Sequence, residues 1–392
     1  MAGELSRRAL IKRLFSAAAG IAVFPMTGCL SSRSGAEAPL ERERAAMGDV
    51  ARAFSQRFSV PTLSVAISRN SQMVYEEQFQ LGNRLGAELP FPSSLFRIAS
   101  VTKPITSVAI FSLIEKGELK LDDRVFGSSG ILGTKYGDYP YREHVSDITV
   151  DHLLTHSCGG WQNDSTDPMF RFATWDHAEL ISWTLENLPL FYPPGQHWAY
   201  SNFGYCLLGR VIEQITGEPY ADYVQKNILA ACGISDMRIS GNTLEQCAPN
   251  EVVYAGQDGE DPYSMNVSRM DSHGGWLATP SDLVRFLNHV DGASSPSLLK
   301  PETIRMMTTP SPAYPAASSA KYARGWFVRN EGAGNWWHNG SLPGSTTIMV
   351  RTSTGLCWAA LTNTRTQPPD QINGALDEMV WDMVRRVPSW RA

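Results

Sequence analysis

Several absences narrow the reading of this 392-residue chain before any motif is sought. Outside the N-terminus there is no run of basic residues, and a formal net charge of −5 with a pI near 5.9 leaves no electrostatic footprint for nucleic acid. The six cysteines lack the short paired spacings of a zinc ribbon or a disulfide scaffold. Cys232 and Cys247 are the pair placed to bond in an oxidising compartment, buried thiols being the simpler expectation. No apolar run reaches the roughly 20 residues of a spanning helix, and no repeat of 20 to 50 residues is visible. What remains, at 43% hydrophobic and 19% charged residues, is a globular chain able to bury a sizeable core in two or three structural units.

The N-terminus departs from that composition. Arg7, Arg8, Lys12 and Arg13 precede a short apolar and small-residue segment, Leu14 to Thr27, which fits an export signal. "SRRALIK" resembles a twin-arginine signal, and "MTGC" is similar to a lipobox with Cys29 as the lipidated first residue, Met26 replacing the usual leucine. The expectation is an export signal over 1–28 and a tether over 29–45, with the protein on the outer, periplasmic side of the membrane and anchored through Cys29. Ordinary cleavage nearby would instead release a soluble protein. Loss of residues 1–28, with four basic residues against Glu4, takes the charge from −5 to −8.

Along the rest of the chain, Leu63, Val65 and Ile67 alternate, a turn follows at Asn70-Ser71, and a second run passes Val74 and Phe79, the pattern of a β-hairpin. The C-terminal runs "YARGWFVRN", "STTIMVR" and "LCWAALTN" read as adjacent antiparallel strands, and Ile372, Leu376, Met379, Val380 and Met383 have helical spacing. Between these ends the chain reads as helical: "GYCLLGRVIEQITG" stops at Gly217, and Thr279, Pro280 and Asp282 form a helix start. The predicted fold is α+β, an antiparallel sheet flanked by helices (46–110 with 320–392) and a large inserted all-helical region (111–319).

Ser100 and Lys103 lie three residues apart, but so do Ser297/Lys300 and Ser318/Lys321, three of the eight lysines in the chain. Context separates them. Pro104 is tolerated only in the first turn of a helix, so it pins Ser100 to a helix N-terminus, where free N–H groups and the dipole suit a developing oxyanion. The other two pairs sit in proline-rich, loop-like text. "WAYSNFGY" adds Tyr200, Ser201 and Asn202, and "WWHNGSLPG" adds His338, Asn339, Gly340 and Ser341; a competing His-x-Gly occurs at His273 to Gly275.

In that order, "SVTK", "YSN" and "HNGS" resemble the signature elements of the penicillin-binding protein and class C β-lactamase-like serine hydrolases, which include D-amino-acid peptidases and carboxylesterases. "ITVDHLLTHSCGG" and "GGWLATPSDLVRF" are similar to the family too, so the resemblance covers most of residues 45 to 390. It implies a cleft between sheet and helical region, Ser100 as acylated nucleophile, Lys103 and Tyr200 sharing its proton, and Asn202 orienting the lysine and the substrate carbonyl. The Ser100 and Ser341 N–H groups would form the oxyanion hole. No cofactor or metal is implied: "HLLTH", with His152 and His156, lacks a glutamate base and a third ligand and reads as a structural pair. Asp122 and Asp123 read as turn or capping residues.

The implied substrate is a small molecule or short peptide, hydrolysed as an ester, amide or peptide. D-Alanyl-D-alanine carboxypeptidase, D-aminopeptidase or weak β-lactamase activity is the alternative, and a non-catalytic cell-wall-peptide binding protein is the rival from another class. His338 stands where β-lactamases of the family have lysine. A histidine with a pKa of about 6.5 would make carboxylate recognition weak and pH-dependent between about pH 6 and 8. Trp161, Trp276, Trp336 and Trp337 read first as core residues; Trp336 and Trp337 also flank the motif, where they could line an acyl pocket, with Trp337 the substrate-binding choice.

Overall fold

The described residues of the computed structural model are 38–81, 92–329 and 334–391, all within one compact unit. The segment expected to be an export signal (1–28), Cys29 and most of the expected tether lie outside them. Helix α1 (Glu41–Arg57) leads into the hairpin of β1 (Thr62–Arg69) and β2 (Gln72–Gln80). Its two-residue turn holds Asn70 and Ser71 at φ of 48° and 67°, the paired positive values of a type I′ turn that matches strand twist. A short strand β3 (Phe96–Arg97), a 3-10 turn (Ala99–Val101) and helix α2 (Thr102–Glu115) follow.

The middle of the chain contributes α3 (Val150–Leu154), α4 (His177–Asn187), α5 (Asn202–Thr216) and α6 (Tyr220–Val224), then β4 (Arg238–Ile239), β5 (Trp276–Ala278), α7 (Pro280–Val290) and α8 (Pro301–Thr308). Besides helices it therefore carries strands: β3, β5 and β4 pair into a small sheet. The chain ends with β6 (Ala320–Tyr322), β7 (Phe327–Arg329), β8 (Trp336–Leu342), β9 (Ser345–Arg351), β10 (Leu356–Thr362) and helix α9 (Pro369–Arg385). Among the described residues the main sheet has seven antiparallel strands in the order β2-β1-β10-β9-β8-β7-β6, so the two chain ends meet at the β1–β10 pair.

Both faces of this sheet are covered, which is why β10 is buried along its whole length. Leu63, Val65 and Ile67 share one core with Trp358, Ala360, Ile348 and the inner faces of α1 and α9. The alternate residues Ala66, Ala359, Leu361 and Met349 face a second core built from α2, α5 and α7. Helix α2 lies inside that second core, buried from Thr102 to Phe111 on every side. Cys232 and Cys247 are not joined by a disulfide. No described helix is long and apolar enough to cross a membrane.

Two residues before the 3-10 turn, Arg97 is fully buried. Its guanidinium donates to Ser240 Oγ (3.0 Å) and to the carbonyls of Pro262 (2.6 Å) and Gly241 (3.1 Å), and lies 3.7 Å from buried Glu251. Tyr254 closes the network, accepting from the Arg97 N–H at 2.8 Å and donating to Glu251 at 2.9 Å. A buried charge is stable only when paired and hydrogen-bonded, so this network ties the 240–263 loops to the turn that carries Ser100. Arg97→Met, which leaves Glu251 buried and uncompensated, is expected to cost about 3–5 kcal/mol in urea denaturation. The double variant Arg97→Met/Glu251→Gln should cost clearly less than the single one.

Candidate active site

The 3-10 turn at Ser100 is held in an unusual backbone state. Ala99 has φ of +48°, a conformation that costs an L-residue energy and survives only where the surroundings impose it. Ser100 is half-buried and opens onto a cleft of about 410 Å³. Pro104 is the third residue of α2, where its missing N–H removes no helix bond. The other two Ser–Lys pairs are otherwise occupied: Ser297 Oγ donates to the Leu299 carbonyl at 2.7 Å and Ser318 Oγ to the Ala320 carbonyl at 2.5 Å.

Because α2 is buried all round, Lys103 is fully buried too, and its amine has three oxygen neighbours. Nζ lies 3.0 Å from Ser100 Oγ, 2.8 Å from Asn202 Oδ1 and 3.1 Å from the His273 carbonyl oxygen. Two of these oxygens can only accept; the hydroxyl can also donate. A neutral amine, with two N–H groups and one lone pair, satisfies all three with its lone pair aimed at the serine O–H. Burial favours that form, pushing the Lys103 pKa well below its ordinary value, against the opposing pull of Asp167. Tyr200 is shifted the other way: desolvation raises its phenol despite a hydrogen bond with Ser100, so the phenol stays protonated. Its ring lies 4.7 Å from Lys103 Nζ.

The Tyr-Ser-Asn motif works through a helix cap. Ser201 Oγ accepts from the Gly204 N–H (3.0 Å) and donates to the Trp161 carbonyl (2.6 Å), so the preceding Tyr200 and the following Asn202 sit at the mouth of α5. On β8, Gly340 permits close approach: a Cβ there would meet the Ile98 carbonyl oxygen at 2.4 Å and Ala99 Cβ at 3.0 Å. This contact presses the strand against the nucleophile turn and brings Ser341 into the cleft.

Two sequence expectations need correction. His338 lines the cleft but is only 1% exposed, and burial lowers its pKa to about 3, which favours the neutral ring between pH 6 and 8. Neutral His338 carries its proton on Nδ1, donating to the Asn339 carbonyl (2.7 Å), and accepts from Tyr322 at Nε2 (3.1 Å). Trp337 points to the opposite face of β8 from His338, stacked on Phe327 and packed against the core under α1 and α9. The aromatic lining consists instead of Phe170, Trp198 and Phe327, beside Tyr200. Trp336 is buried in the second core, as are Trp161 and Trp276.

Asp167 and Arg365 have no distinctive signal in the sequence, and His156 and His273 read there only as a structural residue and a competing motif. Asp167, 2% exposed, accepts from Asn202 Nδ2 at 2.8 Å. His156 parts company with His152: His152 caps α3, whereas the buried His156 accepts from the Ser201 N–H at 3.1 Å and packs its ring 4.2 Å from that of Tyr200. Arg365 lines the cleft with Nη1 3.4 Å from Ser341 Oγ, its guanidinium paired with Glu260. His273, from the competing His-x-Gly, contributes the carbonyl beside Lys103. Asp123 is a turn residue, accepting from the Lys120 N–H at 2.8 Å. No cluster of three potential metal ligands occurs among the described residues.

A family model described as Beta-lactamase matches residues 49–378. A penicillin-binding protein of Bacillus subtilis (strain 168) is 25% identical over 321 residues, 74% of this chain and 64% of its own length. Esterase EstB of Burkholderia gladioli is 31% identical over 185 residues, 43% of this chain and 45% of its own. The chain thus spans less than two thirds of either relative. Among solved structures, a D-amino acid amidase from Ochrobactrum anthropi SV3 complexed with L-phenylalanine superposes with a TM-score of 0.72 at 23% identity, covering 90% of this chain and all of that one; the likeness shows the fold.

The burial of His338 makes a prediction opposite to that of an exposed imidazole. The ratio of KM for a carboxylate-bearing substrate to KM for a neutral ester should stay constant from pH 6 to 8. A rise in the ratio of about tenfold across that range would mean that His338 titrates there after all.

Proposed function

Because the chain belongs to the beta-lactamase family of serine hydrolases, we propose that it hydrolyses small esters and amides through an acyl-enzyme on Ser100. The observation that carries this reading is the Lys103 amine, fully buried and aimed at the Ser100 hydroxyl. Lys103 accepts the serine proton as Oγ attacks the substrate carbonyl carbon. The Ser100 and Ser341 N–H groups receive the oxyanion. Tyr200, a protonated phenol hydrogen-bonded to Ser100, delivers a proton to the leaving group and is reprotonated from the Lys103 ammonium. Water then attacks the acyl-enzyme by the reverse sequence of proton transfers.

The aromatic side chains and the neutral His338 favour an apolar acyl group and a neutral substrate. A second reading, D-amino-acid peptides with a free carboxylate, is favoured by Arg365, whose Nη1 points toward Ser341 at the cleft. Ser100→Ala should lower turnover by about 10⁴-fold and abolish labelling by a fluorophosphonate, while Ser297→Ala and Ser318→Ala retain both. In the same assays p-nitrophenyl esters of short acids should give a higher kcat/KM than a chromogenic cephalosporin or a D-alanyl-D-alanine peptide. A cephalosporin that matches the best ester would overturn the substrate assignment; a fully labelled Ser100→Ala protein would overturn the mechanism.

We further propose, from "SRRALIK" and "MTGC" in the sequence, that the protein is exported and held at the membrane by a lipidated Cys29. Cys29→Ser should move the protein to the soluble fraction, and mass spectrometry of the wild-type N-terminus should find acylated Cys29. A mature terminus elsewhere would refute the anchor.

A further inference from the structure

We infer that Asp167 is a positioning residue of the general base: through Asn202 it fixes the amide that holds Lys103 and sets how readily that amine takes a proton. The chain of contacts is short and buried throughout. Lys103 Nζ lies 2.8 Å from Asn202 Oδ1, and Asn202 Nδ2 donates to Asp167 Oδ2 at 2.8 Å. Lys103, Asn202 and Asp167 are 0%, 4% and 2% exposed. A carboxamide could turn either end toward the lysine. A carboxylate beside Asn202 accepts only, so the NH₂ must face Asp167 and the carbonyl must face Lys103. Asp167 is itself fixed, its Oδ1 accepting from the Met169 N–H at 2.9 Å.

The second effect is electrostatic. The titratable groups around Lys103 come from each element packed on α2: Tyr200 and Tyr205 at α5, His156 after α3, His273 before β5, His338 on β8, and Asp167. The three histidines are neutral in their buried settings and the tyrosines are protonated. Asp167, whose own pKa burial raises to about 6, is the carboxylate that above that pH opposes the desolvation of Lys103, and it does so across one amide. Burial alone would leave an amine that deprotonates easily but is a feeble base; the remote carboxylate restores basicity without a direct ion pair that would keep the lone pair from Ser100.

The inference rests on Lys103 being the base, and the two can be tested apart. The acid limb of kcat/KM for a neutral ester is measured in wild type, Asp167→Asn, Asp167→Ser and Asp167→Glu, with circular dichroism and fluorophosphonate labelling as checks on fold and on Ser100. Removing the charge should move the acid limb to lower pH by about one unit. The plateau should fall by about tenfold in Asp167→Asn and further in Asp167→Ser, which also frees the Asn202 amide. Asp167→Glu, retaining the charge, should keep the limb within a few tenths of a unit of its wild-type position. An unmoved limb in both neutral variants, whether with full activity or with a loss uniform across pH, would overturn the role of Asp167. Wild-type activity that survives Ser100→Ala would instead overturn the underlying mechanism.

Discussion

A primary amine placed in the interior of a protein must either lose its charge or gather oxygens around it, and the site depends on how Lys103 does both. Helix α2 is buried on every side, so its second residue has no route to water. Oxygens arrive from α5 and from the segment before β5, 99 and 170 residues away in sequence. Each can only accept, which leaves the amine lone pair for the serine hydroxyl. The base is thus produced by the packing that surrounds it.

The sheet supplies the other wall. Gly340 lets β8 lie against the Ile98 carbonyl and Ala99, close enough that a single methyl would clash. Ala99 in turn holds its left-handed backbone conformation between that strand and the segment anchored by the Arg97 network. Strain at Ala99, close contact at Gly340 and a buried guanidinium two residues upstream combine to fix where the Ser100 hydroxyl points. The cost is spread over residues that never touch a substrate.

Polarity in the cleft is divided between its parts. Phe170, Trp198 and Phe327 offer apolar surface, the neutral His338 offers none of the permanent charge of a lysine, and the cation present, Arg365, is already paired with Glu260. That balance separates this cleft from one built around an unpaired cation, and it follows from which residues are desolvated together.

Much of the architecture was legible in the sequence because it is local. Alternation at Leu63, Val65 and Ile67, the Asn70-Ser71 turn, the cap at Thr279 and the position of Pro104 each depend on neighbours within a few residues, as does the i, i+3 approach of Ser100 and Lys103. The placement of Trp337 was not legible in that way: Ser341, four residues along the same strand, lines the cleft, whereas Trp337 packs against the core under α1 and α9. Proton affinities, the partners of Asn202 and the aromatic lining were not legible. They depend on burial and on contacts between segments 35 to 170 residues apart, so a histidine that would titrate near pH 6.5 in water is held neutral, and an aspartate in an unremarkable loop comes to lie one amide away from the base. The local sequence determined which groups could do chemistry; desolvation in the assembled core decided which of them carry the proton.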